Sequence, residues 1–165
     1  MILGTVGMHA QGFNRLVVAM DQIASQIIER VIIQIGSSTY IPHHAEYFQF
    51  TSGKHMEQLI SNARVIVSHA AAGSVLSGFR MDKPMVLVPR FKKFGEHYDD
   101  HQLQLAQILA KQERVVALIE PGIMNLQEAI DQAIQLCRFP SADYQLRDTL
   151  REQLIDWSKV VESQD

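Results

Sequence analysis

The chain has little cysteine, little net charge and no long apolar run, and each shortage narrows its class. One cysteine, Cys137, in 165 residues excludes an internal disulfide and fits a reducing compartment. No apolar stretch approaches the roughly 20 residues that a membrane-spanning helix needs. The N-terminus, MILGTVG, has neither the basic start nor the long apolar core of a signal peptide, and reads as a strand that begins at once. A net charge of −3 gives no reason to expect a nucleic-acid partner. No internal repeat, low-complexity tract or interdomain linker interrupts the chain. What remains, 47% apolar and 20% charged, is the composition of a globular protein. One domain over residues 1–165 is expected, large enough to bury a proper core, in the cytoplasm.

The most informative stretch runs from Val65 to Leu109. Val65-Ile66-Val67 is a short apolar run ending in Ser68-His69, followed by Ala70, Ala71, Ala72, Gly73 and Ser74. Val75 to Met81 reads as helix, Met85 to Val88 as strand, Arg90 to Asp100 as a charged loop, and His101 to Lys111 as helix. In such parallel α/β units a ligand sits at the carboxyl ends of the strands. The polar groups of this stretch cluster there, at Ser68 to Ser74 and Arg90 to Gln102.

The flanks continue the alternation. Ile2 to Val6 predicts a first strand and Gly7 to Gly12 a loop carrying His9. Phe13 to Ile28 has helical spacing, with Asn14 or the loop before it as cap. Val31 to Ile35 is a β-branched run closed by Gly36-Ser37-Ser38. Tyr40 to His44 predicts a loop, Tyr47 to Phe50 a strand, and Lys54 to Asn62 a helix capped by Ser52. Later come a strand from Val115 to Ile119, a helix from Asn125 to about Cys137, and an amphipathic helix from Tyr144 to Val161 with Trp157 near its end. The fold class is α/β: a Rossmann-like parallel sheet with helices on both faces.

Three loops follow strands in the same manner. The turn from Ser68 to Ser74 has small residues that let a ligand approach the backbone, and a helix start whose free N–H groups suit a phosphate. It is neither a GxGxxG fingerprint nor a Walker loop, and by pattern alone it is equally a tight packing turn. Gly36-Ser37-Ser38, and Gly7 with His9 and Gly12, are ordinary turn chemistry by themselves. The run Glu96-His97-Tyr98-Asp99-Asp100-His101-Gln102 is dense in ionisable groups. His97 and His101 have the i, i+4 spacing of a metal pair, but Asp99 or Asp100 also suits a helix cap. Arg90, Lys92 and Lys93 suit a diphosphate or a solvated basic loop.

In order and spacing these blocks resemble the C-terminal, nucleotide-sugar-binding half of family 28 glycosyltransferases, which have the GT-B architecture. The blocks are GTVG…FNRL from Gly4 to Leu16, SHAAAGS from Ser68 to Ser74, DKPMVLVPR from Asp82 to Arg90, and EHYDDHQ…LA from Glu96 to Ala106. The chain is most similar to free-standing members: PssE-type exopolysaccharide glycosyltransferase subunits, and the catalytic subunit of the dolichol-pathway N-acetylglucosaminyltransferase. The resemblance implies a UDP-sugar as donor substrate, no further cofactor and no metal. It also implies a lipid-linked acceptor, and a membrane-associated partner that supplies the acceptor half and recruits the chain to the membrane.

Carried over by position, Gly7 lines the cleft, Gly36 and Ser37 lie near the nucleotide, and His69, Ala72, Gly73 and Ser74 border the diphosphate, assisted by Arg90. His101 and Gln102 fall where relatives contact the donor sugar hydroxyls. His9 is the candidate general base, with Glu96 and Asp99 behind it. Relatives have glycine where this chain has Ala71 or Ala72, and an acidic residue, which would hold the ribose, where it has Ser77. The rival readings are a non-catalytic accessory subunit that stimulates a partner glycosyltransferase, and a metal-dependent hydrolase built on Glu96 to His101. An orphaned apolar cleft face would also allow the isolated chain to form a homodimer.

Overall fold

A computed structural model describes residues 1–138, other than 112 and 114. Six strands form one sheet: β1 (Ile2–Thr5), β2 (Val31–Gln34), β3 (Glu46–Phe48), β4 (Val65–His69), β5 (Met85–Val88) and β6 (Val116–Ala117). Their order is β3-β2-β1-β4-β5-β6, and all pairs are parallel. This is the doubly wound order, in which the chain runs outward from β1 one way and from β4 the other. The gap between the first loops of the two halves is the switch point, where such sheets bind ligands.

The helices are α1 (Asn14–Ala24), α2 (Gly53–Asn62), α3 (Ala72–Arg80), α4 (His101–Lys111) and α5 (Ile123–Arg138), with a 3-10 turn at Lys92–Phe94. Alternate strand residues feed two cores. Ile2, Ile33, Val65, Val67 and Val86 pack with Leu16, Met20, Leu126 and Ile130 of α1 and α5. Leu3, Ile32, Ile66 and Leu87 pack with Ile60, Val75, Leu105 and Leu109 of α2, α3 and α4. With both faces covered, the strands need the continuous apolar runs seen in the sequence.

The sequence-derived boundaries shift in informative ways. The first helix ends at Ala24 instead of Ile28, where the Ser25 hydroxyl turns back to the Gln22 carbonyl at 2.7 Å. Asn14 does not cap it. Its amide instead holds the backbone N–H groups of Thr39 and Tyr40 at 2.9 and 3.1 Å. Ser52 does cap α2, accepting from the His55 N–H at 3.2 Å. β3 begins one residue earlier than expected, on the sheet edge.

No helix links β2 to β3. The buried Asp21 carboxylate organises that connection, accepting from the N–H groups of His43, His44 and Ala45 and from the Tyr40 hydroxyl. Those four donors outweigh the cost of burial and hold its pKa below the ordinary aspartate value. The expected helix from Tyr144 to Val161, with Trp157, lies outside the described residues. No helix among the described residues is long and apolar enough to cross a membrane.

Candidate functional site

Three strands deliver their loops to one place. Gly7, just past β1, has φ +79°, and a Cβ there would collide with His69 Nε2 at the end of β4. Gly36, just past β2, has φ +52°, and its Cβ would sit 2.7 Å from the Gly7 carbonyl oxygen. Glycine is required at both by conformation and by space. Gly36, Gly7 and His69 therefore stack across the carboxyl ends of β2, β1 and β4. The Gln34 amide fixes the middle of the stack, accepting from the Gly7 N–H at 3.2 Å and donating to its carbonyl at 3.1 Å. Ser37 follows Gly36 against the same loop, its carbonyl 3.1 Å from where a Gly12 Cβ would lie. Ser38 accepts from the Phe13 N–H at 2.9 Å.

Beside this stack α3 begins without a cap. Ala71 occupies the capping position and has no side-chain acceptor to offer. The N–H groups of Ala72, Gly73 and Ser74 precede the first intrahelical bond, made by Val75 to the Ala71 carbonyl at 3.1 Å. Around Gly73 the space is open, with nothing within 4 Å of an added Cβ. Three unsatisfied donors at a helix start, beside a groove floored by glycine, form a place for an anion.

The far wall comes from the loop between β5 and α4, which Arg90 secures. Its guanidinium is fully buried and donates to the carbonyls of Val6, Gln11, Gly12 and Glu96 at 2.7, 2.9, 3.2 and 2.9 Å. It lies 4.8 Å from the centre of the Phe13 ring. Glu96 is buried against Arg15, at 3.0 and 2.8 Å, and accepts from the Phe91 N–H at 3.0 Å. Gln102 is buried too, its carbonyl accepting from the Arg90 N–H at 3.2 Å.

At the mouth, His9 and His97 face each other with ring centres 5.0 Å apart, and Tyr98 meets His9 edge-on at 5.3 Å. Asp99 lies between His97 and His101, its carboxylate 3.1 and 2.9 Å from their Nδ1 atoms. Burial pushes the Asp99 pKa up. The hydrogen bonds from His101 and the charges of both histidines outweigh this and leave it below the ordinary value. Burial, with His97 and Arg90 nearby, lowers that of His9. His69, deeper, is pushed down to about 3, chiefly by burial.

Residues 1–143 match the glycosyltransferase family 28 C-terminal domain. The chain belongs to glycosyltransferase family 28. Its sequence is 32% identical over 99 residues to human UDP-N-acetylglucosamine transferase subunit ALG13, a match covering 57% of this chain and 8% of that protein. The Candida albicans protein of the same name is 24% identical over 121 residues, 64% of this chain and 40% of its own length. The chain thus spans less than half the length of these relatives. The fold is shared with the calicheamicin glycosyltransferase CalG4, at TM-score 0.63 and 18% identity over 94% of this chain and 38% of that one. It is shared also with Acinetobacter baumannii MurG, at TM-score 0.53 and 17% identity over 90% of this chain and 49% of that one. The architecture is therefore the Rossmann-like one of GT-B glycosyltransferases.

Within this family 28 domain several expected roles change. Arg90 is enclosed, with both terminal guanidinium nitrogens on backbone carbonyls and its Nε buried without a partner among the described residues, so its geometry is that of a tie between loops. Glu96 is not a free base, because Arg15 and the Phe91 N–H occupy its oxygens. Asp99 is ionised and held between two histidines, which suits an orienting group better than a proton acceptor. His69 stays neutral and seats the Gly7 loop. His101 is exposed and paired with Asp99. The Ser77 hydroxyl donates to the Gly73 carbonyl at 2.9 Å and so turns back on its own helix. The metal-site reading finds no geometry: among the described residues no group of three or more His, Cys, Asp or Glu side chains is placed to hold an ion. Residues that the sequence left unassigned are Gln34, Arg15 and Tyr98. No local pattern marks them, because each acts on a partner 27 or more positions away in sequence.

Proposed function

We propose that this family 28 domain is the donor-binding and catalytic subunit of a two-chain glycosyltransferase. It moves a hexosyl group from a UDP-sugar to a lipid-linked acceptor, with inversion at the anomeric carbon, in exopolysaccharide or glycan synthesis. The observation that carries the reading is the uncapped first turn of α3, opening beside Gly7 and Gly36 at the switch point. The diphosphate of the donor fits there. Its leaving group gains negative charge as the glycosidic bond breaks, and the N–H groups of Ala72, Gly73 and Ser74 stabilise that charge from fixed positions. These backbone donors do this without a metal. Gln102 and His101, at the start of α4, face the sugar.

The relatives' name supports both the donor class and the existence of a partner, because it describes a UDP-N-acetylglucosamine transferase subunit. The partner supplies the acceptor and the contact with the membrane. The test is calorimetry on the co-expressed pair and on the isolated chain, first with UDP and then with a panel of UDP-sugars. Saturable binding with one sugar preferred is the expected outcome, and absence of UDP binding in both samples would sink the reading. Ser77 favours a second reading, a non-catalytic accessory subunit, because its hydroxyl is spent on Gly73 where an acidic side chain would hold the ribose. Full turnover by a pair carrying Gly73→Val would decide for that reading.

A further inference from the structure

His9 and His97 repeat one local arrangement on two different loops. The Gln11 N–H donates to His9 Nδ1 at 3.2 Å, and the Asp99 N–H donates to His97 Nδ1 at 3.4 Å. The Asp99 carboxylate is also 3.1 Å from His97 Nδ1, an ion-pair distance without a hydrogen bond. With its Nδ1 lone pair engaged, a neutral imidazole carries its proton on Nε2. Neither ring therefore keeps a free lone pair, and each presents an N–H. Neither Nε2 has a hydrogen-bond partner among the described residues. The rings stand 5.0 Å apart and tilted by 33°, close enough for both donors to serve one ligand. Arg90 joins the two loops through the carbonyls of Gln11, Gly12 and Glu96, so the pair is set before a ligand arrives. Tyr98 adds an aromatic surface. It is 70% exposed, edge-on to His9 at 5.3 Å and tilted to His97 at 6.2 Å.

Two N–H donors beside an exposed aromatic ring suit a ligand with oxygen acceptors and an apolar side. An oxyanion would satisfy the donors but would meet the ionised Asp99 beside them. His9 offers no compensating charge at neutral pH, because burial, His97 and Arg90 lower its pKa. A neutral sugar meets both conditions. Its hydroxyl oxygens accept from the imidazoles, and the C–H face of its ring packs on Tyr98. Position says which sugar. Asp99 alone separates His97 from His101, which faces the donor sugar in the function proposed above. The pair thus adjoins the hexose to be transferred, where the acceptor hydroxyl must arrive. We infer that His9, His97 and Tyr98 form a subsite for the acceptor's terminal sugar, so that this chain holds part of the acceptor as well as the donor. The assignment rests on the donor-site reading above.

The test is NMR of the full chain and of the co-expressed pair. Above the ordinary histidine pKa, side-chain nitrogen-15 signals should show both rings protonated on Nε2. A proton on Nδ1 of either ring would overturn the proposal. The probes are methyl β-D-glucoside, methyl β-D-galactoside and methyl N-acetyl-β-D-glucosaminide, titrated with UDP present. At least one should move both Nε2–H signals and the Tyr98 ring saturably. Tyr98→Ala and His97→Phe should each weaken that glycoside about tenfold with UDP affinity unchanged, and Tyr98→Phe, which keeps the ring, should bind it as the wild type does. No response to any glycoside in either sample overturns the subsite. Saturation by inorganic phosphate in place of the glycosides assigns the pair to an oxyanion and overturns the sugar. Loss of the glycoside response when a UDP-sugar replaces UDP assigns the pair to the donor and overturns the acceptor role. The donor site is read separately, at the amides of residues 72–74. If UDP leaves those unmoved, the donor-site reading fails and takes the acceptor role with it.

Discussion

His69 shows how burial sets chemistry at a single residue. Its ring is enclosed at the end of β4 against Gly7, and its pKa falls to about 3 from an ordinary 6.5. The unfolded chain therefore binds a proton that the folded chain does not as pH drops below 6.5 toward 3. The stabilisation is complete above 6.5 and is lost through that window, with a slope of about 1.4 kcal/mol per pH unit from this group. Thermal denaturation between pH 7.5 and 4.5 should show the decline, and His69→Gln should flatten it. Arg90 is the other telling residue. Arg90→Met removes the donor to four carbonyls and should cost about 3 kcal/mol or more in denaturant unfolding, while an unchanged unfolding midpoint in that variant would contradict its role as the tie between loops. The sequence marks Arg90 as a basic residue in a loop after a strand, which suits a phosphate contact. Its actual partners lie at positions 6, 11, 12 and 96, and no local pattern shows that those carbonyls converge.

Among the elements, α3 carries the sharpest expectation. Gly73 sits in its first turn with open space around it, so Gly73→Val should fold normally, with a stability change within about 0.5 kcal/mol. The added side chain would block approach to the backbone donors and reduce UDP affinity by more than about 100-fold. Unchanged affinity would move the phosphate elsewhere. Ser77→Glu tests the neighbouring turn: a carboxylate in place of a hydroxyl turned to Gly73 should tighten UDP binding and leave inorganic diphosphate unaffected. The elements themselves were legible because β-branched runs and 3.6-residue spacing are local signals. Their ends were not. Ser25 stops α1 by a hydroxyl–carbonyl bond, and the short edge strand β3 takes its register from pairing with β2.

For the whole molecule, the strand order decides where ligand protection should appear. UDP should slow amide exchange in residues 7–12, 36–38 and 71–74 and leave α2, on the outer flank, unchanged. Protection concentrated on α2 would contradict the switch-point site. The sequence predicted the parallel sheet and helices on both faces, because alternating strands and helices allow few other packings. Which loops meet follows from strand order, and that depends on contacts between positions far apart in the chain. One feature of that meeting also bears on the speed of recognition. Arg90 ties the loop after β1 to the loop after β5 before any ligand arrives. The two mouth histidines ride on these bound loops and need not search for each other. Encounter with a donor should then be a single bimolecular step, with an observed rate rising linearly with donor concentration and no plateau from a slower rearrangement.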